Sequence, residues 1–323
     1  MMLWPTRRGV ALLLVAVAAT GFVVHSGARA LGAVVVPSAV ALLAGVVQVW
    51  LTPTPTVDRA VPADGPAERE GTVVLRFDAD DPLPVTADDR HSAGLRVVDG
   101  LPAETVVGEG PVRYRVRFER RGDRTLGPAT VRYTDALGLV AGRDSVGETA
   151  RVLVYPAVRP LPPALAESLQ SGLAEQSRSE RDEFDGLREY VRGDALRNLN
   201  WKVSAKRDDL IVTKYTGARP EQTVTVAIGA ATGDADEMAT AAASVVAALH
   251  SLGAVVALLT PDGEVEAGPS DPEAAFAHLA TVGPGAVPDR EATVVVKASD
   301  GTARVSVAGE ERANIGNGRE AAT

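Results

Sequence analysis

The chain has no cysteine, which excludes disulfides, thiolate metal sites and a cysteine nucleophile. Lysine is scarce: Lys202, Lys206, Lys214 and Lys297 are the whole set. Aromatic residues make up 4% of a chain that is 46% hydrophobic, so its cores must be built from Val, Ala and Leu. No basic excess exists. A formal charge of −9 and a pI near 5.1 argue against broad nucleic-acid binding, which needs a cationic face. No Gly-x-x-x-x-Gly-Lys phosphate loop occurs. His25, His91, His250 and His278 each stand apart in sequence, with no neighbour at a metal-ligand or triad spacing.

What is present begins with two charge-free runs, 9–24 and 31–51. Each is about the roughly 17–25 residues needed to cross hydrocarbon. The break between them, His25 to Ala30, is too short for anything but a tight turn, so 1–51 is expected to form a two-helix transmembrane hairpin. Arg7 and Arg8 precede the first run, and the positive-inside bias puts them in the cytoplasm. The expectation is a two-pass protein of the cell membrane whose soluble domains face the cytoplasm. A second reading stays open. Thr6-Arg7-Arg8 before an apolar run resembles a twin-arginine export signal, and Ala28-Arg29-Ala30 resembles a cleavage site. Cleavage there would leave the bulk of the chain outside.

Residues 52–66 are Pro-rich and read as a semi-extended linker. Over 67–157, β-branched clusters at 72–77, 95–98, 112–118, 129–133 and 150–154 alternate with turn residues, which predicts a β-sandwich. The run 112–118 alternates strictly, with Arg113, Arg115 and Arg117 on one face; a solvated face and a lipid-headgroup contact both fit. A helix is expected over 161–173 and a flexible crossing over 175–183. Strand and helix signals then alternate: strands near 223–228, 254–259, 293–296 and 303–307, helices near 234–252 and 271–281. That pattern predicts a small α/β sheet. The tail 310–323 has no pattern and reads as disordered. The fold class is thus a multidomain α+β membrane protein: hairpin, β-sandwich, then a small α/β domain over 158–309.

The segment 184–206 is the densest in polar residues. Asp194 is a plausible N-cap after Gly193, and 195–206 has the composition of a helix, with Leu196, Leu199 and Val203 on one stripe. Arg197 and Trp201 lie four apart on a neighbouring face. Leu187, Arg188, Tyr190, Gly193, Asp194, Arg197, Asn200, Trp201, Ser204 and Ala205 fit the signature Leu-Arg-x-Tyr, Gly-Asp, Arg, Asn-Trp, Ser/Thr-Ala-Arg. On these residues the chain resembles the domain-of-unknown-function family 58, with Lys206 standing where arginine is usual.

That resemblance implies a von Willebrand factor A-like C-terminal domain and, as partners, a MoxR-type AAA+ ATPase, other membrane-complex proteins and the lipid bilayer. It implies no enzymatic activity and no cofactor. A metal-binding A domain would carry Asp-x-Ser-x-Ser after its first buried strand; here Gly229, Ala231 and Gly233 stand in those places, so no metal is expected. Arg188, Tyr190, Gly193, Asp194, Arg197, Asn200, Trp201, Lys202, Ser204 and Lys206 are the candidate surface, either a partner site or a domain junction. The function expected is a non-enzymatic membrane adaptor or assembly protein. The alternative is an exported cell-envelope module that adheres to protein or surface polymer.

Overall fold

The computed structural model describes residues 2–26, 32–182, 186–189, 211–214 and 222–316. The chain divides into two units, Met1–Tyr155 and Pro156–Thr323.

The first unit opens with strand β1 (Met2–Pro5), then the helices α1 (Arg7–Ser26) and α2 (Gly32–Leu51). Thr6 caps α1: its Oγ1 accepts the Gly9 N–H at 3.2 Å. Both helices are long and apolar enough to cross a membrane. Ten strands follow: β2 (Thr56–Ala60), β3 (Gly65–Pro66), β4 (Glu70–Asp78), β5 (Pro84–His91), β6 (Leu95–Asp99), β7 (Ala103–Val106), β8 (Val112–Phe118), β9 (Gly122–Thr134), β10 (Val140–Val146) and, closing the unit, β11 (Ala150–Tyr155). One sheet runs β2-β4-β8-β6. In the other, β9 is the spine: it pairs with β5, β10 and β11, while β1 pairs antiparallel with β10.

The alternation read at 112–118 is the reason β8 works. Val112, Tyr114, Val116 and Phe118 are buried, and the arginines between them are exposed. Arg115 spends its charge on the adjacent strands, 3.2 Å from Glu70 and 2.6 Å from Asp99. The stretch 52–66 is not a spacer. β2 pairs with β4, β3 pairs with β11, and the Asp64 carboxylate accepts the Leu153 N–H. The physical reason is Arg59, whose side chain is only 5% exposed and which pins β2 to the core.

The second unit contains α3 (Pro163–Asp182), the two-stranded ribbon β12 (Gly186–Glu189) and β13 (Ile211–Lys214), and an α/β sheet. The sheet's elements are β14 (Thr223–Ala230), α4 (Ala235–Ser251), β15 (Val255–Thr260), β16 (Gly263–Ala267), α5 (Glu273–Thr281), β17 (Val294–Ser299), β18 (Thr302–Val307) and β19 (Glu310–Gly316). Its order is β16-β15-β14-β17-β18-β19. β14 runs parallel to both β15 and β17, and the remaining pairs are antiparallel.

α4 buries Ala239, Ala241, Ala242 and Ala243, so its backbone lies close to the sheet. Leu165 and Leu169 of α3 join the same core. Two expectations need correcting. Residues 175–182 continue α3 rather than forming a crossing, and 310–316 form β19, held on β18 with Ala313 and Ile315 against the core.

Candidate functional site

Of the candidate surface, the described part is its frame. Gly186↔Lys214 and Glu189↔Ile211 are the outer rungs of the β12–β13 ladder, and Arg188 lies opposite Val212. The ladder therefore brings the two ends of the intervening segment side by side. Tyr190, Gly193, Asp194, Arg197, Asn200, Trp201, Lys202, Ser204 and Lys206 lie outside the described residues.

The other place to look is the carboxyl end of the parallel strands, where open α/β sheets ordinarily hold ligands. β14 runs on through Gly229 and Ala230, later than the sequence suggests, because both residues have partners. Gly229 pairs with Lys297, and Ala230 exchanges two backbone hydrogen bonds with Gly285, at 2.8 and 3.0 Å. The segment 285–287 thus lies across the end of β14. A Cβ on Gly229 would meet the Val287 backbone nitrogen at 2.5 Å, so no side chain of any kind fits there. Glycine is required by close approach, and an aspartate could not take its place.

Asp234 sits at the N-cap of α4 without capping it. Its carboxylate instead accepts the Gly301 N–H at 2.8 Å, tying α4 to the β17–β18 turn. Asp262 does similar work, accepting the Gly283 N–H at 2.8 Å and so anchoring the segment that closes the crevice.

His278 has a partner that its sequence neighbours do not show. Its Nε2 lies 2.8 Å from the hydroxyl of Thr260, eighteen positions away. Thr260 gives its one proton to the Gly263 carbonyl at 2.9 Å, so His278 donates from Nε2. A nucleophile needs an exposed oxygen and a free base. Thr260 is 4% exposed and its hydroxyl is committed, so the pair braces the β15–β16 turn. His250 lies nearby in sequence to the end of α4. Its Nε2 donates to the Ala267 carbonyl at 3.2 Å, its Nδ1 is buried without a partner among the described residues, and burial lowers its pKa.

The first unit holds the strongest charges. Asp89 is fully buried and accepts from Arg59 at 2.7 and 3.1 Å and from the Tyr114 hydroxyl at 2.7 Å. Burial, and then the Asp89 charge, push the Tyr114 phenol well above its ordinary pKa. Tyr133 donates to Asp144 at 2.8 Å and is raised for the same reasons. No group of three or more His, Asp or Glu positioned to hold a metal occurs among the described residues. Sequence reasoning missed these networks because their members are far apart in the chain and read singly as surface charges.

Residues 186–304 match the model of the family described as "Protein of unknown function DUF58". Those residues are a DUF58 region. The DUF58 match starts at β12 and runs into β18, so it takes in the ribbon, the segment it frames and most of the α/β sheet. No curated protein matches the chain. Among solved structures, the PKD domain of an M14-like peptidase from a Thermoplasmatales archaeon is 15% identical, with 32% of this chain and 98% of that one covered at a TM-score of 0.22. The human complex of zinc 2-glycoprotein with prolactin inducible protein is 8% identical over 32% of this chain and 98% of that one, at a TM-score of 0.21. A point mutant of the SrpA adhesin from Streptococcus sanguinis is 15% identical over 44% of this chain and 87% of that one, at a TM-score of 0.22. Likenesses this weak carry no argument about fold or activity.

Proposed function

We propose that this chain is a non-enzymatic, two-pass membrane adaptor or assembly protein whose soluble units face the cytoplasm and whose partner is a MoxR-type AAA+ ATPase. The observation that carries the non-enzymatic part is the closed carboxyl end of β14, where the 285–287 backbone fills the space a ligand would need. The polar groups around it agree, since Thr260, Asp262 and Asp234 are each spent on backbone hydrogen bonds. A parallel core with helices between its strands supports the von Willebrand factor A-like reading of the second unit.

The partner class rests on the family resemblance, with the polar segment between β12 and β13 as its contact. The full-length chain in lipid nanodiscs should co-elute with the ATPase and change its turnover. Arg197→Ala should lose that effect while the protein stays folded. No co-elution and no change in turnover would remove the adaptor reading. Digestion of the second unit by protease added to intact cells would reverse the topology and favour the exported module.

A further inference from the structure

The hairpin is not joined to the β-sandwich only through its ends. Both helices meet the turn between β9 and β10, residues 135–139. On the α1 side, the Thr6 hydroxyl donates to the Gly138 carbonyl at 2.6 Å and the Thr6 N–H to the Leu139 carbonyl at 2.8 Å. A Cβ on Gly9 would stand 2.0 Å from that same Leu139 oxygen, so α1 lies directly on the turn. On the α2 side, Gln48 accepts the Ala136 N–H at 3.2 Å, and a Cβ on Gly45 would stand only 3.2 Å from the Asp135 carboxyl carbon, so α2 also lies close against the turn. Val49, 1% exposed, packs over Gly142.

The turn itself is stiff. The buried Asp135 carboxylate accepts three backbone N–H groups, from Leu137 at 3.0 Å, Leu139 at 2.7 Å and Val140 at 2.6 Å.

The heights matter. Gly45 precedes the end of α2 by six residues, about 9 Å at 1.5 Å per residue. The turn therefore runs beside the last turns of α2 and the first turn of α1 rather than stopping at their ends. Trp50, one residue before the end of α2, is 66% exposed, and Leu137, at the tip of the turn, is 59% exposed. Arg8 is also exposed, and its guanidinium lies over Gly138, 3.7 Å from where a Cβ would be. An exposed tryptophan near the end of α2, an exposed leucine at the tip of the turn and an arginine in the first turn of α1 are residue types of a bilayer's interfacial region.

We propose that the 135–139 turn is a third membrane-contacting element, with Leu137 seated at the headgroup–acyl boundary beside the hairpin. The partner is the lipid surface. The inference rests on the membrane-spanning reading of α1 and α2. It adds that the β-sandwich is fixed against the bilayer instead of swinging on a tether.

The absence of native cysteine makes the test direct. Leu137→Cys, Leu14→Cys within α1, and Asp123→Cys at the far end of β9 are each labelled with an environment-sensitive fluorophore. The full-length variants are reconstituted into phosphatidylcholine–phosphatidylglycerol vesicles containing a lipid-borne nitroxide. The expected result is blue-shifted, quenched emission at 14 and 137 and neither change at 123. Quenching at 14 but not at 137 would overturn this inference and leave the hairpin intact. Quenching at neither would overturn the membrane-spanning reading itself, and equal quenching at all three would mean adsorption to the vesicle surface rather than insertion of the turn.

Discussion

The two units solve the same problem with opposite materials. The first buries ionisable groups: Asp89, Asp135 and Asp144 lie in its interior, each satisfied by several donors. The second buries alanine and valine, and its buried polar residues among those described are only Ser244 and Thr260. A sandwich held by charge is sensitive to the loss of one partner, because a buried charge without its counter-ion is costly. A sheet held by small side chains is sensitive to volume, because its interior is close-packed and has little room to adjust.

The largest expected effect breaks the first material. Arg59→Met leaves the Asp89 carboxylate buried with the Tyr114 hydroxyl as its remaining side-chain partner. The first unit should lose about 3–5 kcal/mol, and the double variant with Asp89→Asn should recover part of it. Pulse proteolysis in urea with peptide-level mass spectrometry reads each unit separately. An equal loss in both units, or none in the first, would contradict the contrast.

The second material should fail through volume. Leu165→Ala empties a fully buried site between α3 and the sheet and should cost the second unit about 2–5 kcal/mol by the same measurement. Somewhat smaller is the effect of adding volume. Gly229→Asp forces a side chain into the Val287 backbone and should cost about 1–3 kcal/mol. Added magnesium should not restore the lost stability; recovery by magnesium would mean that 285–287 can yield the crevice to an ion.

The same contrast explains what could be read from the sequence. Alternation at 112–118 and the apolar runs at 223–230 and 255–260 announce their strands, because burial on one or both faces imposes a period of two or a continuous apolar stretch. β2 was illegible because Arg59 reads as solvent-facing until Asp89 is seen beside it, thirty positions away. β1, β16 and β19 are edge strands, recruited by a neighbour's free backbone more than by their own side chains. The pairing of His278 with Thr260 left no local signal either. Gly229 stands in the sequence where a metal-binding loop would carry aspartate, but the close approach of 285–287 that demands glycine there belongs to tertiary structure.

The smallest effect is also the one that separates the units most cleanly, since it uses pH alone. In the second unit, burial disfavours the charged form of His250 and lowers its pKa below the ordinary 6.5. Between the two values the unfolded chain holds a proton that the folded one does not, so stability rises with pH there. That contribution is fully present above about pH 6.5 and is lost as the pH falls. In the first unit, Tyr114 and Tyr133 are raised above their ordinary 10.0 by burial and by Asp89 and Asp144. Their contribution is fully present below that value and is lost as the pH rises beyond it. The second unit should therefore weaken first on acidification and the first on alkalinisation. His250→Gln keeps a donor for the Ala267 carbonyl but does not titrate, so it should flatten the acid side of the second unit's profile and leave the alkaline side of the first unchanged. An acid profile unaltered by His250→Gln would place the second unit's pH sensitivity elsewhere and remove this distinction between the two interiors.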